Sequence, residues 1–154
     1  MTEVLFYHLE RASLETVLPG LLEKTLERGM RAVVRAGSQE RVERLDGHLW
    51  TYSDESFLPH AAAGPKTNNA ADQPIWLTAG EDAPNDPQIL FLVDGADGDA
   101  GAISGLDRCV MIFDGRDDEA TAKARAFWKT AKAAGHDATY WKQSEQGRWE
   151  KQNG

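Results

Sequence analysis

The chain is poor in the groups that build redox and metal chemistry. Its 154 residues include 1 cysteine and 4 histidines. A single cysteine can make neither an internal disulfide nor a CxxC metal site. Cys109 lies in the apolar run RCVMIF and reads as a buried small hydrophobe. His8, His48, His60 and His136 are scattered without HxxxH or HxH spacing, so zinc-type ligation lacks its geometry. Neither a metal nor another cofactor is expected. No apolar run approaches the ~20 residues of a membrane span. The start, MTEVLFYHLE, carries an acid where a signal peptide has a basic region. A cytoplasmic protein without membrane attachment is the expectation. Basic charge is scarce too: 17 Lys and Arg stand against 25 Asp and Glu, a formal charge of −8. Broad binding to nucleic acid needs a surplus of phosphate-neutralising cations. DNA is therefore expected to be met only indirectly, although room remains for a local basic patch.

Phosphate cradles are missing as well. The turn after the first apolar run is HLERAS, and neither GxGxxG nor GxxxxGK[ST] is present. No GxSxG elbow occurs. DGADGDAG suggests calcium through Asp94, Asp97 and Asp99, but its spacing fails the EF-hand pattern and a solvated turn fits better. Asp114, Asp117 and Asp118 follow an apolar run, where they read as helix-capping acids. The competing reading is a small α/β enzyme using Asp94, Asp114 or Asp117 at the carboxyl ends of strands, and it rests on fold analogy alone.

Regular structure is abundant. VLFYHL is β-branched and aromatic, and reads as a first strand. After it, Leu14, Val17, Leu18, Leu21, Leu22 and Leu26 recur at helical spacing, with Ser13 before them and Gly29 as the stop. Pro19 predicts a bend or a late start. RAVVRA reads as a short buried strand. SQERVERLDGHLW reads as a second helix, capped by Ser38, with Val42, Leu45 and Leu49 inward. Residues 51–74 read as a long loop. PIWLTA, QILFLVDG and RCVMIFDG read as strands. DDEATAKARAFWKTAKAAG predicts a long helix ended by Gly135, and DATYWKQ a last strand. This alternation predicts an α/β fold: a Rossmann-like three-layer sandwich with a mostly parallel central sheet and helices on both faces. One domain over 1–143 and an exposed tail over 144–154 are expected.

The helix around RAFWKTAKAAG places a tryptophan among cations. On a wheel at ~100° per residue, Ala120, Ala124, Phe127, Ala131 and Ala134 form the core side. Arg125, Trp128, Lys129 and Lys132 fall together on the far side, with Trp128 nearest the core. A solvated basic face with a half-buried indole explains this. So does a docking spot for something small, acidic and apolar: Arg125 to fork a carboxylate, Lys129 to add charge, Trp128 to flank an apolar group.

FYHL near the start, RLDGHLWTYSDESFLPH in the middle and ARAFWKTAKAAG near the end together resemble the chi subunit of bacterial DNA polymerase III. The resemblance implies a Rossmann-like fold and a non-catalytic adaptor of the replicase. Chi binds the acidic, phenylalanine-terminated tail of single-stranded-DNA-binding protein and pairs with the psi subunit of the clamp loader complex. By that resemblance Arg125, Trp128 and Lys129 match the tail-binding positions, with Trp where Tyr is also found. Lys132 joins them from helix geometry alone. Trp50, Phe57, Leu58 and Pro59 bracket a polar turn, and by the same resemblance this region is expected to lie where chi meets psi. Ordinary core closure is the other reading of Trp50 and Phe57.

Overall fold

A computed structural model of the chain describes residues 2–10, 12–51, 60–62, 70–98, 101, 103, 105–146 and 148–152. In chain order the elements are β1 (Glu3–Leu9), α1 (Leu14–Glu27), β2 (Ala32–Arg35), α2 (Gln39–Thr51), β3 (Ala61–Ala62), a 3-10 turn (Ala70–Asp72), β4 (Ile75–Thr78), β5 (Ile89–Leu92), β6 (Arg108–Asp114), α3 (Asp118–Ala133), β7 (Asp137–Gln143) and β8 (Trp149–Gln152). The described strands form one eight-stranded sheet in the order β3-β4-β2-β5-β6-β1-β7-β8. Every neighbouring pair is parallel except β7 with β8.

Alternation along the strands divides the core in two. Leu5, Val34, Leu77, Phe91 and Ile112 point to the face covered by α1 and α2. Phe6, Val33, Leu90, Met111 and Phe113 point to the face carrying α3. Central strands are thus apolar on both sides, and β5 is buried throughout. Cys109 is fully buried, and that burial pushes its thiol up to about 12. Sheet and helices have the layered α/β architecture that the alternation of apolar segments implied.

Helix ends follow local chemistry. Ser13 caps α1, its hydroxyl accepting from the Thr16 N–H at 3.3 Å, and Ser38 Oγ accepts from the Arg41 N–H at 3.3 Å before α2. At the end of α3 the Gly135 N–H donates to the Lys132 carbonyl and the His136 N–H to that of Ala131, both at 3.0 Å. This is a Schellman closure, and Gly135 adopts the φ of +86° that it requires.

Three expectations need correction. Pro19 does not delay α1, which begins at Leu14. The carbonyl that Pro19 cannot reach, that of Glu15, accepts instead from His48 Nε2 on α2 at 2.7 Å. The loop over 51–74 is not bare among its described residues: Ala61–Ala62 pairs with β4, and Ala70–Asp72 makes the 3-10 turn. Residues 149–152, read as part of an exposed tail, form a strand. They add β8 antiparallel to β7, with Trp149 set opposite Gln143 and its ring 4.8 Å from that of Tyr7. Only Glu150, Lys151 and Gln152 of this strand are exposed. Asp99 and residues 63–69 lie outside the described residues.

Candidate functional site

The site is built on α3 and the strands beneath it. Asp117 starts this helix by accepting from the N–H groups of Glu119 and Ala120 at 3.0 and 3.3 Å. That fixes the register in which Ala124, Phe127 and Ala131 are buried on the sheet. Ala134, expected on the core side, is exposed because it is the capping residue beyond the last turn. On the far side of the helix, within about a quarter turn of one another, Arg125, Lys129 and Lys132 are exposed and Trp128 is half-buried. The indole meets Phe6 at 5.3 Å and 61° and Tyr140 at 6.2 Å and 77°, both edge-on. Lys132 Nζ stands 4.6 Å from the centre of the same indole.

Beside Trp128 opens a groove of about 350 Å³ between α3 and the strands. Phe6, Phe113, Trp128 and Tyr140 give it aromatic walls, while Arg125 and Lys142 flank it from opposite elements. Lys129 and Lys132 stand outside its lining. Among the described residues neither Arg125 nor Lys129 is engaged in an ion pair or side-chain hydrogen bond. Lys142 Nζ lies 2.9 Å from Glu10 Oε1, and the same oxygen is 3.4 Å from His8 Nε2. The Tyr140 hydroxyl donates to His8 Nδ1. This assignment suits a neutral ring: burial, and then the Lys142 charge, hold the His8 pKa below its ordinary 6.5. Burial raises the Tyr140 phenol, against the pull of Arg125. Chemically the groove offers an open guanidinium, a second cation paired with Glu10, and flat apolar walls. That suits a ligand combining a carboxylate with an aromatic or aliphatic group.

Lys142 and Tyr140 were not singled out from sequence, nor was Glu10. The usable signal was the alternation in DATYWKQ, which places Tyr140 and Lys142 on one strand face, opposite Phe6 and His8 of β1 in the register.

Trp50, in the last turn of α2, has 50 % of its surface exposed, its ring centre 4.4 Å from that of His60. His60 in turn lies 3.1 Å from Asp46 Oδ1. Phe57, Leu58 and Pro59 lie outside the described residues. The acids at the strand ends are committed within the fold. A crevice of about 550 Å³ there includes Asp94, which accepts from Arg41 at 2.9 Å, and Asp117, the cap of α3. Asp114, in the same crevice, accepts from Arg116 at 2.9 Å, and that guanidinium holds its carboxyl below the usual range. Among the described residues no group of three His, Cys, Asp or Glu could hold a metal ion.

With this geometry in view, residues 1–139 match the family described as DNA polymerase III chi subunit, HolC. The chain belongs to that family. It is 29 % identical over 98 residues to the probable DNA polymerase III subunit chi of Rickettsia prowazekii strain Madrid E, covering 63 % of this chain and 58 % of that protein. It is 31 % identical over 94 residues to the DNA polymerase III subunit chi of Pseudomonas aeruginosa strain PAO1, covering 59 % of this chain and 63 % of that protein. Each match thus spans roughly three fifths of the relative's length. Within this chi-family chain, the α3 wall of the groove falls inside the family match, whereas Tyr140, Lys142 and Gln152 of the opposite wall lie beyond it.

Proposed function

We propose that the chain is a non-catalytic accessory subunit of the bacterial replicative polymerase, joining the clamp loader complex to single-stranded-DNA-binding protein by gripping that protein's acidic C-terminal tail. One observation carries the reading. Arg125, without an acidic partner among the described residues, lines an aromatic groove beside a half-packed indole, and Lys129, likewise without one, stands exposed on the same helix outside the lining. A tail ending in a carboxylate beside a phenyl ring needs cations next to an apolar wall, and α3 supplies both. The groove's volume sits at the small end of the ~300–1,000 Å³ of ligand pockets, which suits one or two terminal residues. Lys132, spread over the Trp128 ring, holds the indole in place and adds charge.

Titration of the purified chain with a synthetic acidic peptide ending in phenylalanine tests this. Arg125→Ala and Lys129→Ala should each cost about 1–3 kcal/mol of peptide binding, with thermal unfolding unchanged. Wild-type affinity in both variants sinks the site.

A second surface has its own observation, the half-exposed indole of Trp50 beside His60. Exposed tryptophans anchor interfaces, and with Phe57, Leu58 and Pro59 this one is proposed to meet a psi-type subunit. Trp50→Ala should weaken capture of that subunit while leaving peptide affinity intact; undiminished capture counts against the assignment. DNA would be reached only through these partners. A cytoplasmic location fits this role, and no helix among the described residues is long and apolar enough to cross a membrane.

A further inference from the structure

The groove has two cations on opposite walls, and they are not in the same state. Arg125, on α3, has no ion-pair partner among the described residues. Lys142, on β7, is held by Glu10 at 2.9 Å. The register of β7 against β1 puts Lys142 beside His8 and Tyr140 beside Phe6, so the β7 wall faces α3 across the groove. Glu10 comes from the end of β1, and its carboxylate bridges His8 Nε2 and Lys142 Nζ. One carboxylate of the protein's own thus sits on the groove's second cation. Both partners of that ion pair are exposed, at 39 % for the Lys142 side chain and 42 % for that of Glu10. An exposed pair of this kind is weak and open to exchange. A ligand carboxylate arriving with its aromatic group already seated is held at high effective concentration and can take the place of Glu10.

We propose that Lys142 is a second anchoring cation for the acidic peptide, and that Glu10 occupies it until the peptide arrives. The chain would then carry its own competitor for its ligand. This rests on the peptide-binding reading of α3 given above, but on residues outside it: Lys142 lies beyond the family match and Glu10 just past the end of β1. The occupant follows from charge and shape together. A single small anion would leave the aromatic walls bare, and an uncharged apolar ligand would leave Arg125 unsatisfied.

The test is calorimetric titration of the full chain with a synthetic peptide of acidic residues ending in phenylalanine, at low salt. Four proteins are compared: wild type, Glu10→Gln, Lys142→Ala and the double variant. Glu10→Gln should tighten binding about 1.5- to 5-fold, and Lys142→Ala should weaken it by a similar factor. In the Lys142→Ala background, Glu10→Gln should change nothing, because the competitor has lost its target. Wild-type affinity in Lys142→Ala overturns the proposal. So does a gain from Glu10→Gln that persists without Lys142, since that is only the general effect of removing one negative charge. If Lys142→Ala shows a lowered melting temperature, Lys142→Gln keeps the stem packed and is read the same way. Silence at Lys142 and Glu10 with loss at Arg125→Ala removes this inference alone. Failure of the wild-type protein to bind the peptide removes the underlying reading as well.

Discussion

Trp128 looks two ways. One edge of its indole is packed on Phe6 and Tyr140, and the rest is left for the groove and for Lys132. That division follows from its place on α3, one residue past buried Phe127 and three past exposed Arg125. Because helical period is a local property, Arg125, Trp128, Lys129 and Lys132 could be grouped from sequence alone. Their neighbours could not. His8 and Tyr140 stand 132 positions apart, and only strand pairing brings them, with Glu10 and Lys142, to the same rim. His8 makes the consequence measurable. Its pKa is lowered, by burial first and by Lys142 second, so the unfolded chain takes up a proton before the folded one as pH falls. The stability owed to neutral His8 is whole above the ordinary value of 6.5 and is lost as pH drops through the lowered folded value. Melting temperature should fall across that window, and His8→Gln should flatten this part of the profile. Identical slopes in the two proteins would contradict the assignment.

Among the elements, α1 shows how a local rule is broken and repaired. A proline in a helix interior strands the carbonyl four residues back. Here that carbonyl is Glu15's, and His48 of α2 donates to it at 2.7 Å. The sequence-based expectation is a bend or a late start at Pro19; the late start does not occur, since the remedy comes from another helix. Removing the donor in His48→Ala should lower stability by about 1 kcal/mol. In a Pro19→Ala background the cost should shrink, because a backbone N–H at 19 can take the carbonyl again. Equal costs in both backgrounds, read by denaturant unfolding, would show that the bond is incidental. β8 escaped notice for a different reason. Its four residues, Trp149–Gln152, follow a turn and leave three of their number exposed, so a short edge strand reads as tail.

Taken whole, the molecule is an acidic layered sheet with cations gathered around the α3 groove. The layers were legible because the central parallel strands are apolar on both faces and each helix on one, a contrast that survives in the order of residues. The groove was half legible: its helix wall lies in one continuous stretch, whereas its strand wall depends on β7 and β1 being neighbours. A formal charge of −8 repels an acidic ligand at long range, so binding must come from short contacts at the rim. Those contacts are exposed and should weaken as salt screens them. The most direct measurement is therefore a titration of the wild-type chain, at low and high salt, with an acidic peptide carrying or lacking its terminal phenylalanine. The prediction is saturable binding of the complete peptide, weaker at high salt, and at least tenfold loss when the phenylalanine is removed. Equal affinity for the two peptides, or no binding of either, would contradict the proposal that this groove grips an acidic aromatic tail.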